Sequence, residues 1–126
     1  MVRDLVVSDA HCHVNPIRGI GPRELGRRFA ESGGWFLCIV NLLSWSLGVE
    51  VREPRDFSKI YELTIGSARE IEKSGLEVAV VLGPHPAELV RLVERGLDPR
   101  GAADFLIEAY EIAARYVEEG EAAGLG

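Results

Sequence analysis

A parallel α/β fold is what the sequence predicts, and three features predict it. Short β-prone apolar runs occupy residues 4–10, 35–42 and 76–82. Helical stretches with start and stop signals separate them, and Gly and Pro mark the boundaries. The resulting order, β-α-β-α-β-α, calls for a parallel sheet with right-handed crossovers. Of the 126 residues 47% are hydrophobic and 27% charged, enough apolar surface to support a folded unit and exclude disorder.

Taken in order, residues 4–10 (Asp-Leu-Val-Val-Ser-Asp-Ala) read as a buried strand with a polar end. Pro22 suits the first turn of a helix that runs to Ser32, where Gly33-Gly34 ends it. Residues 35–42 are apolar almost throughout, as a parallel strand covered on both faces should be. A long connection, residues 43–57, follows. Asp56 or Ser58 can cap the next helix, which stops at Ser74-Gly75. The third strand breaks at Gly83-Pro84-His85-Pro86, and a short helix covers residues 87–95. Pro99 opens the last helix, whose Phe105, Ile107, Ala109, Ile112, Ala113, Tyr116 and Val117 suit one buried face. Gly120 ends it, and residues 121–126 approach a further strand.

No run approaches 18 apolar residues and the amino terminus lacks a signal-peptide core, so a soluble, cytoplasmic chain without membrane contact is expected. The net charge of −6 argues against broad electrostatic binding to nucleic acid, though not against a local basic site. Two cysteines without a CxxC pair read as reduced thiols. Twelve Arg against two Lys, with no Gln, fit a heat-adapted protein or a GC-rich genome.

The chemistry concentrates at strand ends. In Asp9-Ala10-His11-Cys12-His13, strand alternation sends His11 and His13 to one side with Asp9, and Cys12 to the other. Two neutral imidazoles so placed can hold one divalent metal, with Asp9 fixing a ring tautomer. His85, fenced by Pro84 and Pro86, is a restrained residue at the matching end of the third strand. Active sites of parallel α/β sheets form at this edge. Softer candidates for substrate contact are Arg18, which suits a phosphate, Trp45 in the long connection, and Asn41 at the second strand's end. Arg27 and Arg28 read as solvated helix positions.

An Asp and HxH ending strand one, followed by Gly-x-His-Pro ending strand three, resembles the TatD-type metal-dependent hydrolases. The resemblance implies a TIM-barrel-like fold and a divalent metal (Zn, Mn or Mg) held by His11 and His13. It also implies that His85 belongs to the catalytic site, where Asp9 is placed by its position beside the histidines, with a phosphate ester or DNA as substrate. In that family a glutamate in Gly-Glu-(Ile/Val)-Gly on strand four is the next metal ligand, and this chain reads Gly124-Leu125-Gly126 there. The expectation is therefore an amino-terminal (βα)3 segment, half of a barrel, ending at the start of strand four and nearly inactive alone. Open sheet edges would favour self-association. Alternatives are an amidohydrolase or phosphomonoesterase on the same HxH barrel, or a non-catalytic assembly module.

Overall fold

Residues 5–126 are described by a computed structural model; Asp4, assigned to the first strand by sequence, lies outside the described residues. Four strands, β1 (Val7–Cys12), β2 (Gly34–Val40), β3 (Glu77–Leu82) and β4 (Gly124–Leu125), form one sheet. Helices α1 (Gly21–Glu31), α2 (Phe57–Glu72), α3 (Pro86–Glu94) and α4 (Pro99–Glu118) connect them. The strand order is β1-β2-β3-β4 and every pair is parallel. Right-handed crossovers that advance in one direction, without reversal, leave all helices on one face of the sheet.

The burial pattern agrees. Leu37 and Ile39 of β2 are buried with Ile71 and Leu76, against Leu25 and Phe29 of α1. Val80 and Leu82 of β3 are buried with Phe57, Ile60, Tyr61, Leu92, Leu106 and Ala109. The alternate residues Phe36, Cys38, Val40, Ala79 and Val81 are only half-buried, because no helix lies over that face. The expectation of a second strand covered on both faces is thereby corrected.

The first strand departs further from expectation. It begins at Val7 and extends to Cys12, and it is an edge strand. Leu5 and Val6 are 62% and 73% exposed, so its apolar start is not core. An apolar run reports β propensity, but burial depends on a covering layer that this edge lacks.

Two glycines are required by close approach. Gly33 has φ +91°, and a Cβ there would stand 2.6 Å from the Leu5 carbonyl oxygen. At Gly83 a Cβ would fall 1.9 Å from the Gly126 oxygen, so β4 can lie against β3 only over a residue without a side chain. Asp56 sits at the N-cap of α2, but its carboxylate turns back to the N–H groups of Arg52 (2.9 Å) and Glu53 (3.0 Å).

On α1, Glu24 Oε1 stands 2.7 Å from both Arg27 Nη2 and Arg28 Nε. Hydrogen bonds from Arg27, then Arg28, hold the Glu24 carboxyl down at about 2. A depressed carboxyl stabilises the fold above its ordinary range, and that contribution is lost as pH falls towards 2. These pairs are exposed and screened by solvent, so Glu24→Gln should leave the thermal midpoint at pH 7 close to the parent's. A loss as large as that of a core truncation would contradict this.

Candidate functional site

The carboxyl edge of β1 is irregular, and the irregularity builds the site. Asp9 pairs with Leu37 and Cys12 with Ile39, so Ala10 and His11 stand against Cys38 alone. Such a bulge bends the strand and re-aims its side chains. It also breaks the strict alternation on which Asp9 was expected beside the rings. Asp9 Oδ1 instead accepts the backbone N–H of His11 at 2.9 Å, tying down the bulge. Cys12 packs among the helix-side apolar residues. Burial, then the Asp9 carboxylate, pushes its thiol up, which disfavours the thiolate that metal ligation needs.

His11 and His13 converge. Their rings meet edge-to-face with centroids 4.8 Å apart, and their Nε2 atoms are separated by 3.2 Å. Two imidazole nitrogens on one tetrahedral zinc, each about 2.0–2.1 Å from it, stand about 3.3–3.4 Å apart. The orienting group comes from the neighbouring strand: His13 Nδ1 is 2.8 Å from the Val40 carbonyl oxygen, to which it donates. That bond leaves the His13 Nε2 lone pair free for an acceptor role, as backbone carbonyls do behind metal-ligating histidines. In the neutral pair His11 Nε2–H can donate to this lone pair, and a tautomer switch at His11 presents both lone pairs together. The donor set is incomplete, since no group of three His, Cys, Asp or Glu positioned for a metal occurs among the described residues.

His85 lies at the same edge, after β3. It is the N-cap of α3, and its Nδ1 accepts the Ala87 N–H at 3.0 Å. In the neutral ring Nε2 then carries the proton and faces outward as a donor. His85 follows β3 and the histidine pair ends β1, with β2 between these strands. It forms no three-residue metal-ligating group with that pair.

The softer candidates separate. Arg18 is exposed and has no ion-pair partner among the described residues, while its N–H donates to Asn15 Oδ1 at 2.9 Å. Asn41 is 5% exposed and its amide is spent on backbone: Nδ2 donates to the Gly83 oxygen and Oδ1 accepts the Gly83 N–H, both at 2.9 Å. Asn41 therefore joins the ends of β2 and β3 and is not available to a substrate. Trp45 lies in a 3-10 turn, Trp45–Leu47, with the Arg91 guanidinium 4.5 Å over its ring. The guanidinium thus covers one face of the indole.

Three residues that sequence reasoning passed over hold this edge together. Asn15 Nδ2 donates to the Ser46 oxygen at 2.9 Å, linking the β1–α1 and β2–α2 loops. Glu88, 4% exposed, accepts the Ser44 N–H at 2.7 Å and the Ser44 hydroxyl at 3.1 Å. Tyr110 places its hydroxyl 3.1 Å from the Gly126 oxygen and 3.4 Å from that of Pro84. Asn15, two residues past the HxH and followed by Pro16, carried a readable turn signal. Glu88 and Tyr110 sit at ordinary helix positions and carried none.

No family model, curated protein or solved structure matches the chain. No helix among the described residues is long and apolar enough to cross a membrane.

Proposed function

We propose that this chain is the amino-terminal part of a metal-dependent hydrolase of the TatD type, acting on phosphodiesters. The observation that carries the reading is the histidine pair: two Nε2 atoms 3.2 Å apart with the His13 tautomer set by the Val40 carbonyl. The spacing and the backbone carbonyl behind the ring both fit a divalent metal. When bound, such an ion supplies Lewis acidity towards a phosphoryl oxygen and lowers the pKa of coordinated water. His11 and His13 would hold it, His85 Nε2–H would donate to the substrate, and Arg18 would offer a bidentate contact to a second phosphoryl oxygen. Asp9 acts by fixing the bulge that aims His11.

The half-barrel reading has its own support. An unreversed order of four parallel strands, with helices on one face and a half-buried apolar face opposite, is the local pattern of a closing barrel. The two open edges and the bare face are also where self-association of this segment would occur.

The test is metal titration of the 126-residue chain with zinc and manganese by calorimetry, beside His11→Ala and His13→Ala. One ion per chain is expected, held weakly for want of further ligands, and lost in either variant. Turnover of a phosphodiester by the chain alone should be minimal. Absence of stoichiometric binding, or binding that survives both substitutions, would sink the reading.

A further inference from the structure

We propose that His85, Glu88 and Ser44 form a pH-sensitive latch on the 43–57 connection. It is closed on α3 while the His85 imidazole is neutral, and it opens when that ring is protonated. The latch depends on neither a metal nor a phosphodiester.

Three side chains at helical spacing, Glu88, Arg91 and Arg95, tie this connection to α3. Glu88 accepts the Ser44 N–H at 2.7 Å and the Ser44 hydroxyl at 3.1 Å. The Arg91 guanidinium lies 4.5 Å over the Trp45 ring, and Arg95 Nη1 donates to the Val51 oxygen at 3.1 Å. Arginine stays protonated in proteins, so the last two ties do not respond to pH. Glu88 is different, because it is the third residue of the helix that His85 caps.

The cap works in one protonation state only. His85 Nδ1 accepts the Ala87 N–H at 3.0 Å through its lone pair. Protonation fills that lone pair and sets two N–H groups against each other. Pro84 and Pro86 restrain the backbone on either side, so the imidazolium responds by turning its ring. Around this turn Glu88 is the one acidic side chain among the described residues. Arg91 is a cation, and residues 42–47 of the connection carry no charged side chain. The Tyr110 hydroxyl of α4 lies 3.4 Å from the Pro84 oxygen and 3.1 Å from the Gly126 oxygen, which it already holds.

His85 and Glu88 occupy the cap and third positions of a capping box, in which the carboxylate reaches back to the cap. With neutral His85, Glu88 turns to Ser44 instead. An imidazolium N–H offers it a charge-assisted bond, roughly twice as strong as a neutral one. A buried carboxylate needs partners, and Glu88, 4% exposed, has a set in either state. Ser44 loses both of its bonds in the exchange. Gly48, with φ +67°, lies between the Ser44 and Val51 ties. Trp45–Leu47 therefore lifts from Arg91 while Arg95 keeps Val51 in place.

The experiment follows Trp45 emission from about pH 8 to about pH 5 with a chelator present. The parent for it carries Trp35→Phe, which leaves Trp45 as the lone tryptophan, and His11→Ala with His13→Ala, which leaves His85 as the lone histidine. A single-proton transition is expected. Proteolysis within residues 43–57 at the acid end should be about 5-fold faster than in His85→Asn at the same pH, the scale of one lost helix cap. His85→Asn supplies a cap that does not titrate, and Glu88→Gln keeps Ser44 bonded without offering the imidazolium a charge. Both should be flat across the range. No transition in the parent, or one that persists in His85→Asn, overturns the latch. A transition of full size in Glu88→Gln shows that cap loss acts without Glu88, and overturns it as well.

Discussion

Asn41→Ala is expected to destabilise the chain by about 2–4 kcal/mol, although Asn41 touches nothing but backbone at its polar end. Its amide makes a reciprocal pair of hydrogen bonds with Gly83, both 2.9 Å and both buried. Alanine removes both partners at once and leaves a buried N–H and a buried carbonyl without water to replace them. Gly83 cannot relieve this by moving towards β4, because the Gly126 oxygen already occupies the place of its missing Cβ. Asn41→Asp separates the two bonds: it keeps an acceptor for the Gly83 N–H but sets a carboxylate oxygen against the Gly83 carbonyl. It should be at least as destabilising as alanine at neutral pH. Urea denaturation with an unchanged m-value measures both. A midpoint for Asn41→Ala equal to the parent's would show that the clamp contributes nothing.

Glu88→Ala is expected to cost a similar amount, about 2–4 kcal/mol, and to free the connection that carries Trp45. Glu88 and Ser44 are both 4% exposed, so the lost acceptors are not replaced by solvent. Glu88 stands in the first turn of α3, so its loss also loosens the connection from the start of that helix. Glu88→Gln should recover much of the loss, since its amide oxygen accepts the Ser44 N–H and its amide nitrogen donates to the Ser44 hydroxyl. Denaturation gives the free energies, and limited proteolysis between residues 43 and 57 reports the loop. If alanine and glutamine behave alike and neither exposes the loop, Glu88 is not its anchor.

These two residues mark where sequence reasoning stopped. Asn41 follows an apolar strand, so a position facing a substrate and one facing a neighbouring strand look the same in one dimension. Glu88 is an acidic residue in the first turn of a helix, where solvent exposure is the ordinary outcome. Its burial follows from how closely the 43–57 connection packs on α3, which no local pattern records. The histidine pair was legible as two imidazoles two residues apart at a strand end, although a bulge at His11 and the end of β1 at Cys12, rather than strict alternation, set how the rings meet. Asp9 was misjudged by that alternation, since a bulge changes the count of residues between Asp9 and Cys12 relative to β2.

Sequence alone determined the element order, the parallel pairing, the helix boundaries near Pro22, Pro86, Pro99 and Gly120, and the placing of His11 and His13 at a strand end. All of these follow from short-range periodicity and from the backbone limits of Gly and Pro, which act within a few residues. Tertiary structure decided which sheet face is covered, that β1 is an exposed edge, which carbonyl orients His13, and that Asn41 serves Gly83 rather than a ligand. Those outcomes depend on contacts between residues 27 to 44 positions apart, as with His13 and Val40 or Ser44 and Glu88. Such contacts exist only once the crossovers have stacked the strands and brought their carboxyl ends to one edge.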